Sequence, residues 1–499
     1  MTAPTIEPQA SAVATPPGGG SVGAPPPFAL PGRRRIPGLT VRRFLALLAG
    51  KSAAVASRVA GRGGGTSLPG MVARRFDPTI LGSLVAAQQV PVVVIAGSNG
   101  KTTTARFTAA LLRAAGFPVG HNSAGSNLAQ GVTSVAVAAA DLRGRMPTEV
   151  LVIECDEGAL PVVAADLDPR ALLITDLFRD QLDRYGEIYA VADTFESIAQ
   201  KLGPGSVLCL NADDPIVAGL GATRTGRRIL FGLDLNRDTD QITRAADTIR
   251  CPRCRADLVY DHVYLSHMGA WHCPSCGLAR PPLDVAVTEL EVLGLDATRF
   301  HVRTPAGELD VTVPQSGVHI AYDAAAAIAI LVGIGVPIDG AAAALGTVRP
   351  AFGRLERIAA GDRQVVLGFA KNPTSFNTTL RALATEGLPR QLLIALSNTL
   401  VDGEDFAWLW DVEFEAAAAG VERVVVSGLR ADEVANRLKY AGVDPARMTV
   451  VEDRPAALDA ALTGVEPGGT LTVLAGYTPT IELREEMRRR GWVGPYWEV

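Results

Sequence analysis

One stretch limits what this chain can become more than any other: Pro91-Val-Val-Val-Ile-Ala-Gly-Ser-Asn-Gly-Lys-Thr-Thr-Thr104. The apolar run Val92 to Ala96 has the character of a strand buried on both faces. Gly97 and Gly100 allow a tight turn whose backbone N–H groups can approach an anion. Lys101 adds a cation, and Thr102 a hydroxyl suited to Mg2+. The run Thr103 to Leu112 predicts a helix whose N-terminus favours negative charge. Together they point to a bound nucleoside triphosphate, cradled by Gly97, Ser98, Asn99, Gly100, Lys101, Thr102 and Thr103. The loop is a shortened one. The usual form carries a glycine five residues before Gly100, and Ile95 stands there, inside the strand.

The rest of the 499 residues is compatible with that start. The length predicts about three domains with large cores. Hydrophobic residues make up 48% and charged residues 20%, while aromatics are only 5%. That balance suits α/β layers better than an aromatic platform for nucleic acid. A net charge of −5 supplies no basic field for nucleic acid either. The longest apolar run, Ala324 to Val336, is too short to span a bilayer and predicts a buried helix. The N-terminus lacks a basic stretch leading into an apolar core, so it does not read as a secretory signal. The default location is the cytoplasm, with any membrane contact peripheral.

Four of the six cysteines form two pairs, Cys251-Pro-Arg-Cys254 and Cys273-Pro-Ser-Cys276, with eighteen residues between them. That spacing suits a four-thiolate zinc site. The segments Leu258 to Tyr260 and Val263 to Leu265 predict the hairpin of a zinc ribbon. Four thiolates leave no open position for chemistry, so the expected metal role is structural. A disulfide framework is the competing reading, and it suits small exported chains better. His262, His267 and His272 are expected on the ribbon surface, and Cys155 and Cys209 as inert core thiols.

Residues 1–38 are rich in Pro, Gly, Ala and Ser and predict a disordered tail. Arg33 to Arg35 with Arg42 and Arg43 suit either an anionic surface or the solvated start of a helix over Val41 to Ala60. The glycine run Gly61 to Gly65 predicts a flexible link. Residues 39–348 predict an ATP-binding α/β unit, with strands at Val92–Ala96, Val150–Glu154, Ala171–Thr175 and Ser206–Asn211. The ribbon, residues 250–282, interrupts it as an insertion. Strands Leu283–Leu293, Thr298–Thr304 and Glu308–Val313 and a helix Tyr322–Leu331 follow. Residues 349–499 predict a second, Rossmann-like α/β domain, with strands Gln364–Leu367, Gln391–Leu396, Arg423–Ser427 and Thr470–Ala475.

Three clusters fall at strand ends, where open α/β sheets bind ligands. The phosphate loop is the first. Glu154-Cys-Asp-Glu157 is the second, and carboxylates beside phosphates suit Mg2+. The third is Thr175-Asp-Leu-Phe-Arg-Asp-Gln-Leu-Asp-Arg-Tyr-Gly186. With Asn211-Ala-Asp-Asp-Pro215, Gly317-Val-His-Ile-Ala-Tyr-Asp-Ala-Ala325 and Phe352-Gly-Arg-Leu-Glu356, these segments resemble the Mur ligase superfamily, which shares the short loop with folylpolyglutamate synthases. The resemblance narrows with Arg179 to Gly186, the ribbon, Ala370-Lys-Asn-Pro373 and Asp402-Gly-Glu-Asp-Phe-Ala-Trp-Leu-Trp-Asp411. Those look like the MurT family, the ligase subunits of lipid II isoglutaminyl synthase. The chain departs from the superfamily at Gln181, Asp176, Ile320 and Asp323. No lysine clearly matches the family's carbamylated one, since Lys201 sits late.

The resemblance implies a fold, a reaction and a partner. The fold is a Mur ligase-like P-loop ATPase domain with an inserted zinc ribbon, followed by a C-terminal α/β domain. The reaction is ATP-dependent amidation of the α-carboxylate of D-glutamate in the lipid II stem peptide, through an acyl phosphate. Lys101 would hold phosphates, Thr102 and Glu154 would hold Mg2+, and Asn211 and Asp323 would lie on the ATP. Arg354 would reach the γ-phosphate. Cys251, Cys254, Cys273 and Cys276 would hold Zn2+. Ammonia would come from a GatD-like class I glutamine amidotransferase. Asp402 is the first choice to complete that partner's glutaminase site, with Asp405 and Asp411 as alternatives. Trp408 and Trp410 are open between interface anchors and core packing. A stand-alone ligase that adds an amino acid is the alternative enzyme. A zinc-ribbon ATPase that binds nucleic acid is the alternative from another class.

Overall fold

The computed structural model describes residues 40–59, 67–122, 127–179, 188–241, 247–350, 353–384, 386–387, 390–399 and 402–494. The expected tail, the Gly61–Gly65 link, Phe352 and residues 180–187, with most of the third cluster, lie outside the described residues. Three helices come first, α1 (Val41–Val59), α2 (Leu68–Phe76) and α3 (Ile80–Gln88). Alternating strands and helices follow: β1 (Val92–Ala96), α4 (Lys101–Ala114), β2 (Val119–His121), α5 (Ala129–Ala139), β3 (Val150–Glu154), α6 (Leu160–Leu167) and β4 (Ala171–Ile174). A helix over Ile188–Lys201 leads to β5 (Val207–Asn211) and β6 (Arg228–Leu233). The ribbon strands β7 (Val259–Leu265) and β8 (Met268–His272) come next, then β9 (Val285–Leu293), β10 (Ala297–Thr304) and β11 (Gly307–Val313).

Nine of these strands form one sheet in the order β11-β10-β9-β6-β5-β4-β1-β3-β2. Strand β1 lies inside the sheet between β4 and β3, and all five of its residues are buried and apolar. Val93 and Ile95 enter a core with Phe107 and Leu111 of α4, while Val92, Val94 and Ala96 enter the opposite core with α1–α3, α5 and α6. The parallel register sets Ile95 opposite Glu154 and Ala96 opposite Ile174. The loops after β1, β3 and β4 therefore leave the sheet side by side. The helix over Val318–Ile334 is buried without a break from Ile320 to Ile334, which accounts for the apolar run at Ala324. It begins four residues earlier than its apolar pattern suggests, at a Gly317 cap with positive φ.

The chain re-enters a second sheet at β12 (Arg354–Ala360) and β13 (Arg363–Phe369), then β14 (Gln391–Ala395), β15 (Arg423–Ser427), β16 (Met448–Val450) and β17 (Thr470–Ala475). Their order is β12-β13-β17-β14-β15-β16, parallel from β13 onward. Helices over Pro373–Ala384, Ala431–Tyr440, Arg454–Thr463 and Tyr477–Arg489 cover its faces. Arg484 on the last helix grips Glu356 of β12 with Nη2 to Oε1 at 2.9 Å and Nε to Oε2 at 3.1 Å. The two sheets meet through Arg381 with Asp240, Arg357 with Asp296 at 3.1 Å, and Asn372 Nδ2 donating to Asn99 Oδ1 at 3.0 Å.

The ribbon differs from expectation in two respects. Leu258–Tyr260 and Val263–Leu265 are not two arms: Val259 to Leu265 is a single strand with a bulge, and the turn is Ser266–His267. Asp261 and His262 suggest a turn by their polarity, yet they lie on the ribbon's more open side. His267 is not a surface residue; it is fully buried at the ribbon's tip. Trp271 Nε1 donates to the carbonyl of Ala212 at 3.1 Å, and Gly269 N to that of Asp213 at 3.1 Å. The buried Asp213 carboxylate accepts from Arg280 at 2.8 Å, the Tyr322 hydroxyl at 2.7 Å and the Leu233 amide at 2.8 Å. The ribbon is thus bolted to the main sheet by a buried acid. Asp213→Ala leaves the Tyr322 hydroxyl and the Leu233 amide without this acceptor and Arg280 with only the Leu233 carbonyl and Asp234, and is expected to cost about 3–5 kcal/mol in urea unfolding. A loss under about 1 kcal/mol would mean that apolar packing alone holds the ribbon.

Candidate active site

The site is built at the edge where β1, β3 and β4 end. Gly97 and Gly100 have φ of 125° and 77°. A β-carbon at Gly97 would run into Thr175 and Asp176, and one at Gly100 into the Asp323 carboxylate. Close approach as well as turn geometry therefore requires both glycines. The loop is fastened to the exit of β4. Ser98 N donates to Asp176 O at 3.0 Å, Asn99 N to Asp176 Oδ1 at 2.7 Å, and Thr175 Oγ1 to Asn99 O at 2.7 Å. Two of the loop amides are committed in this way. The open N-terminus of α4, from Lys101 to Thr103, supplies N–H groups that the helix itself cannot satisfy.

Lys101 Nζ donates back to the carbonyls of Gly97 and Ser98 and to Glu157 Oε1, the last at 3.1 Å in a buried pair. Glu157 closes the acidic cluster that Glu154 opens, and its pairing with Lys101 is a role the sequence does not assign to it. Glu154 ends β3 and is buried, with Oε2 making no hydrogen bond. Burial pushes its carboxyl up, against the opposing pull of Lys101, a hydrogen bond from Thr102, and Arg354. A buried carboxylate oxygen beside a threonine hydroxyl is an oxygen donor set that fits Mg2+.

Arg354 arrives from the second sheet. Its guanidinium lies 5.5 Å from the centre of the Phe369 ring, and its charge acts on both Asp323 and Glu154. The next residue, Leu355, holds φ at 52°, a strained conformation for a branched side chain. Burial pushes the Asp323 carboxyl well up and the His319 imidazole down to about 4. Thr104 Oγ1 donates to Asp323 Oδ1 at 3.3 Å, while Asp323 Oδ2 and His319 Nδ1 are buried without partners. Arg354, His319 and Asp323 face a cleft of ≈ 1000 Å³, open mouth included, between the two sheets. Phe178, Ile320, Tyr322 and Phe369 give it apolar walls, and Leu265 and Met268 bring the ribbon tip into the lining. Its size and few inward polar groups fit a nucleoside.

The structure gathers Lys101, Thr102, Glu154, Asp323 and Arg354 around this edge, with Asn99 and Gly100 on the cleft wall. Three other groups lie elsewhere. Asn211 does not line the cleft; its Oδ1 accepts from Asp213 N at 3.0 Å and its Nδ2 meets Met268 Sδ at 3.2 Å. The four cysteine Sγ atoms all lie within 4.8 Å of one another, a cluster that can hold a metal ion. Asp402 sits on the second sheet beyond β14, where the strand order switches between β14 and β17. Its Oδ1 accepts from Thr478 N at 2.8 Å and its Oδ2 from Thr399 Oγ1 at 2.5 Å. The two tryptophans divide. Trp408 packs on Phe376 and Phe406, whereas Trp410 is 48% exposed, 5.6 Å from the Tyr440 ring.

Sequence reading missed the buried group under the phosphate loop. His267 Nε2 lies 3.5 Å from Asp214 Oδ2, and its ring 4.4 Å from that of Phe178. Burial acts to lower the His267 pKa, but the hydrogen bond and charge of Asp214, with Asp247 and Asp176, raise it overall. Asp176 is pushed up to about 7, first by burial and then by Asp214, against the Asn99 amide, Lys101 and His267. Its pKa in the fold thus exceeds the ordinary 3.8, so the folded state holds the extra proton between pH 3.8 and about 7. Stability falls as pH rises through that window. Asp176→Asn keeps an oxygen for the Asn99 amide and removes the titration. Its unfolding free energy should be flatter with pH from about 4 to 7 and higher than the parent's at pH 8. Equal slopes for the two proteins would rule out this ionisation.

Comparison with known proteins agrees with this geometry. Residues 95–252 match the Mur ligase middle domain, and residues 369–480 the MurT ligase C-terminal domain. Among solved structures, a pseudomurein peptide ligase type C from Methanothermus fervidus superposes with a TM-score of 0.61 at 21% identity, over 80% of this chain and 79% of that one. Folylpolyglutamate synthase from Mycobacterium tuberculosis, solved with ADP and AMPPCP, gives a TM-score of 0.57 at 17% identity, over 83% and 94%. Both show the fold. The MurT subunit of lipid II isoglutaminyl synthase (glutamine-hydrolyzing) from Staphylococcus aureus is 30% identical over 90% of this chain and 98% of its own. The Streptococcus pneumoniae subunit of the same name is 31% identical over 91% and 98%. The chain accordingly belongs to the MurT family of ligase subunits of lipid II isoglutaminyl synthase.

Proposed function

We propose that this ligase subunit amidates the α-carboxylate of D-glutamate in the lipid II stem peptide, giving D-isoglutamine, with ATP as the activating substrate. The observation that carries the reading is Glu154, a buried acid with an unpartnered oxygen, placed between Thr102 and the charge of Arg354. The names of the MurT relatives supply the substrate class. A carboxylate does not react with ammonia directly, because its oxygen is a poor leaving group. Transfer of the ATP γ-phosphoryl group to it makes an acyl phosphate, which ammonia attacks with departure of phosphate. Such transfer depends on positioning and charge neutralisation.

In this reading Lys101 turns from its loop carbonyls and Glu157 toward the β- and γ-phosphates, which the N–H groups at the start of α4 also hold. Mg2+, held by Thr102 and Glu154, would neutralise part of the phosphate charge. Arg354 brings its guanidinium to the γ-phosphate side, and Asp323 and His319 face the nucleoside. The cysteine quartet, Cys251, Cys254, Cys273 and Cys276, would hold Zn2+ as a closed structural site. Ammonia would come from a GatD-like glutaminase docked on the second sheet, with Asp402 completing its active site. A lipid-linked acceptor puts the reaction at the cytoplasmic face of the membrane.

Lys101→Ala should lower amidation by about 10²–10³-fold or more in a protein that still folds by circular dichroism, although leaving the buried Glu157 without its cation lowers the melting temperature; wild-type turnover in that variant would sink the assignment. Asp402→Asn retains an oxygen for the Thr478 amide, so its fold should persist. With the glutaminase present, glutamine-driven amidation should collapse while amidation from free ammonia continues. Equal loss with both nitrogen sources would remove Asp402 from the partner's site. Labelled ammonia entering lipid II with no amino acid required would exclude an amino-acid-adding ligase.

A further inference from the structure

The first two helices carry a surface that the reaction above does not use. On α1, Val41, Phe44, Leu45, Leu48 and Val55 recur at helical spacing and share one face. That face is opposite the buried one. Ala46 and Leu47 are fully buried, and a β-carbon at Gly50 would meet Pro69 and Ala73 of α2 and Val137 of α5. The outer residues stand between 40% and 76% exposed, and Leu68, Met71 and Phe76 of α2 between 38% and 53%. Of the eighteen large apolar side chains that stand exposed among the described residues, eight lie on these two helices. An outward apolar stripe of this kind is unusual for a helix already docked by its inner face.

Charge identifies what such a surface fits. The chain as a whole carries −5, yet residues 8–76 contain ten Arg and Lys and no Asp or Glu. Arg42 and Lys51 flank the stripe on α1, and Arg75 is exposed on α2. The Arg42 side chain is 65% exposed while its Nε donates to Phe76 O at 3.0 Å, tying the end of α2 to the start of α1. Apolar side chains outward with cations beside them form the pattern of a helix that lies in the interface of an anionic bilayer, and the acid next to them, Asp77, 3.9 Å from Arg42 Nε, is itself buried. A second copy of the same surface would bring like charges together.

The patch also lies near the active edge. Gly70 of α2 packs against the Gln130 carbonyl and Ser134 in the first turns of α5, and Gly70 N donates to Ser134 Oγ at 2.8 Å. Just before α5, the Asn127 carbonyl accepts from Asp156 N at 3.0 Å, two residues past Glu154. Leu128, between them, is itself 45% exposed.

We propose that the outer face of α1 and α2 docks on an anionic phospholipid membrane and holds the carboxyl ends of the main sheet beside it. The inference deepens the reading above, since it gives a lipid-linked acceptor a place of delivery, but vesicle binding and amidation are measured separately. The full chain would be spun with phosphatidylcholine vesicles, with and without a third of phosphatidylglycerol. Binding should require the anionic lipid, weaken with salt, and fall at least tenfold in Leu45→Glu/Leu48→Glu and in Arg42→Gln/Arg75→Gln. Both variants should keep the parent's melting temperature and its ATP-dependent amidation of a soluble, short-chain acceptor. No vesicle binding by the parent, or equal binding by both variants, overturns the proposal. So does self-association of the parent, seen by sedimentation velocity, that the Glu variant abolishes. Vesicle binding by a parent with no amidation would leave this surface assigned and defeat the reaction instead.

Discussion

The active edge depends on one junction, the grip of Thr175 and Asp176 on the phosphate loop. A glycine loop is favourable for a phosphate only if its backbone is already shaped when the ligand arrives. Here the exit of β4 does the shaping. It takes the amides of Ser98 and Asn99, and its threonine caps the Asn99 carbonyl. The other N–H groups of the loop region belong to the first turn of α4, where the helix dipole adds to them. The parallel register that sets Ala96 against Ile174 is what brings the two loops within reach. An acid in this grip has a cost in ionisation, and the buried Asp214–His267 pair beneath it is part of the same electrostatic arrangement.

Much of the fold was legible because its signals are local. Strands β1, β3, β15 and β17 have the boundaries that their apolar runs suggest, since each is buried on both faces and flanked by turn residues. The cysteine pairs were legible because metal ligation needs a fixed spacing. What escaped is non-local. Nothing near His267 in the sequence reveals that the ribbon turn is buried against Asp214, because the contact joins residues 53 apart. Asp213 reads as one of two acids before a proline, and its partners Arg280 and Tyr322 come from a ribbon edge and a distant helix. The tryptophans show the same limit from the other side. Trp408 and Trp410 stand two positions apart, and only packing decides that one is sheltered by Phe376 and the other is open.

The ribbon changes meaning once it is seen in place. As a sequence motif it is a self-contained module held by a metal. In the fold it fills the crossover between two adjacent parallel strands, β6 and β9, and its tip furnishes two side chains of the cleft. Its Tyr264, Leu265 and Met268 belong to the core on one face of the main sheet, and without Leu265 and Met268 the apolar lining shared with Ile320 and Phe369 would be incomplete. An insertion of this kind acts as an outer jaw, with the Asp213 carboxylate as its anchorage.

The buried pair of Glu356 and Arg484 has a further consequence. The helix that carries Arg484 begins at Tyr477, and its second residue, Thr478, donates its amide to Asp402. Six residues later the same helix holds Glu356, which follows Arg354 by two positions along β12. Thr478 and Arg484 are about 9 Å apart along the axis. A helix this short behaves as a rod. The side chain that would serve a partner's glutaminase and the arginine that would meet the γ-phosphate are thus attached to one rigid lever, so neither anchorage can shift far without moving the other.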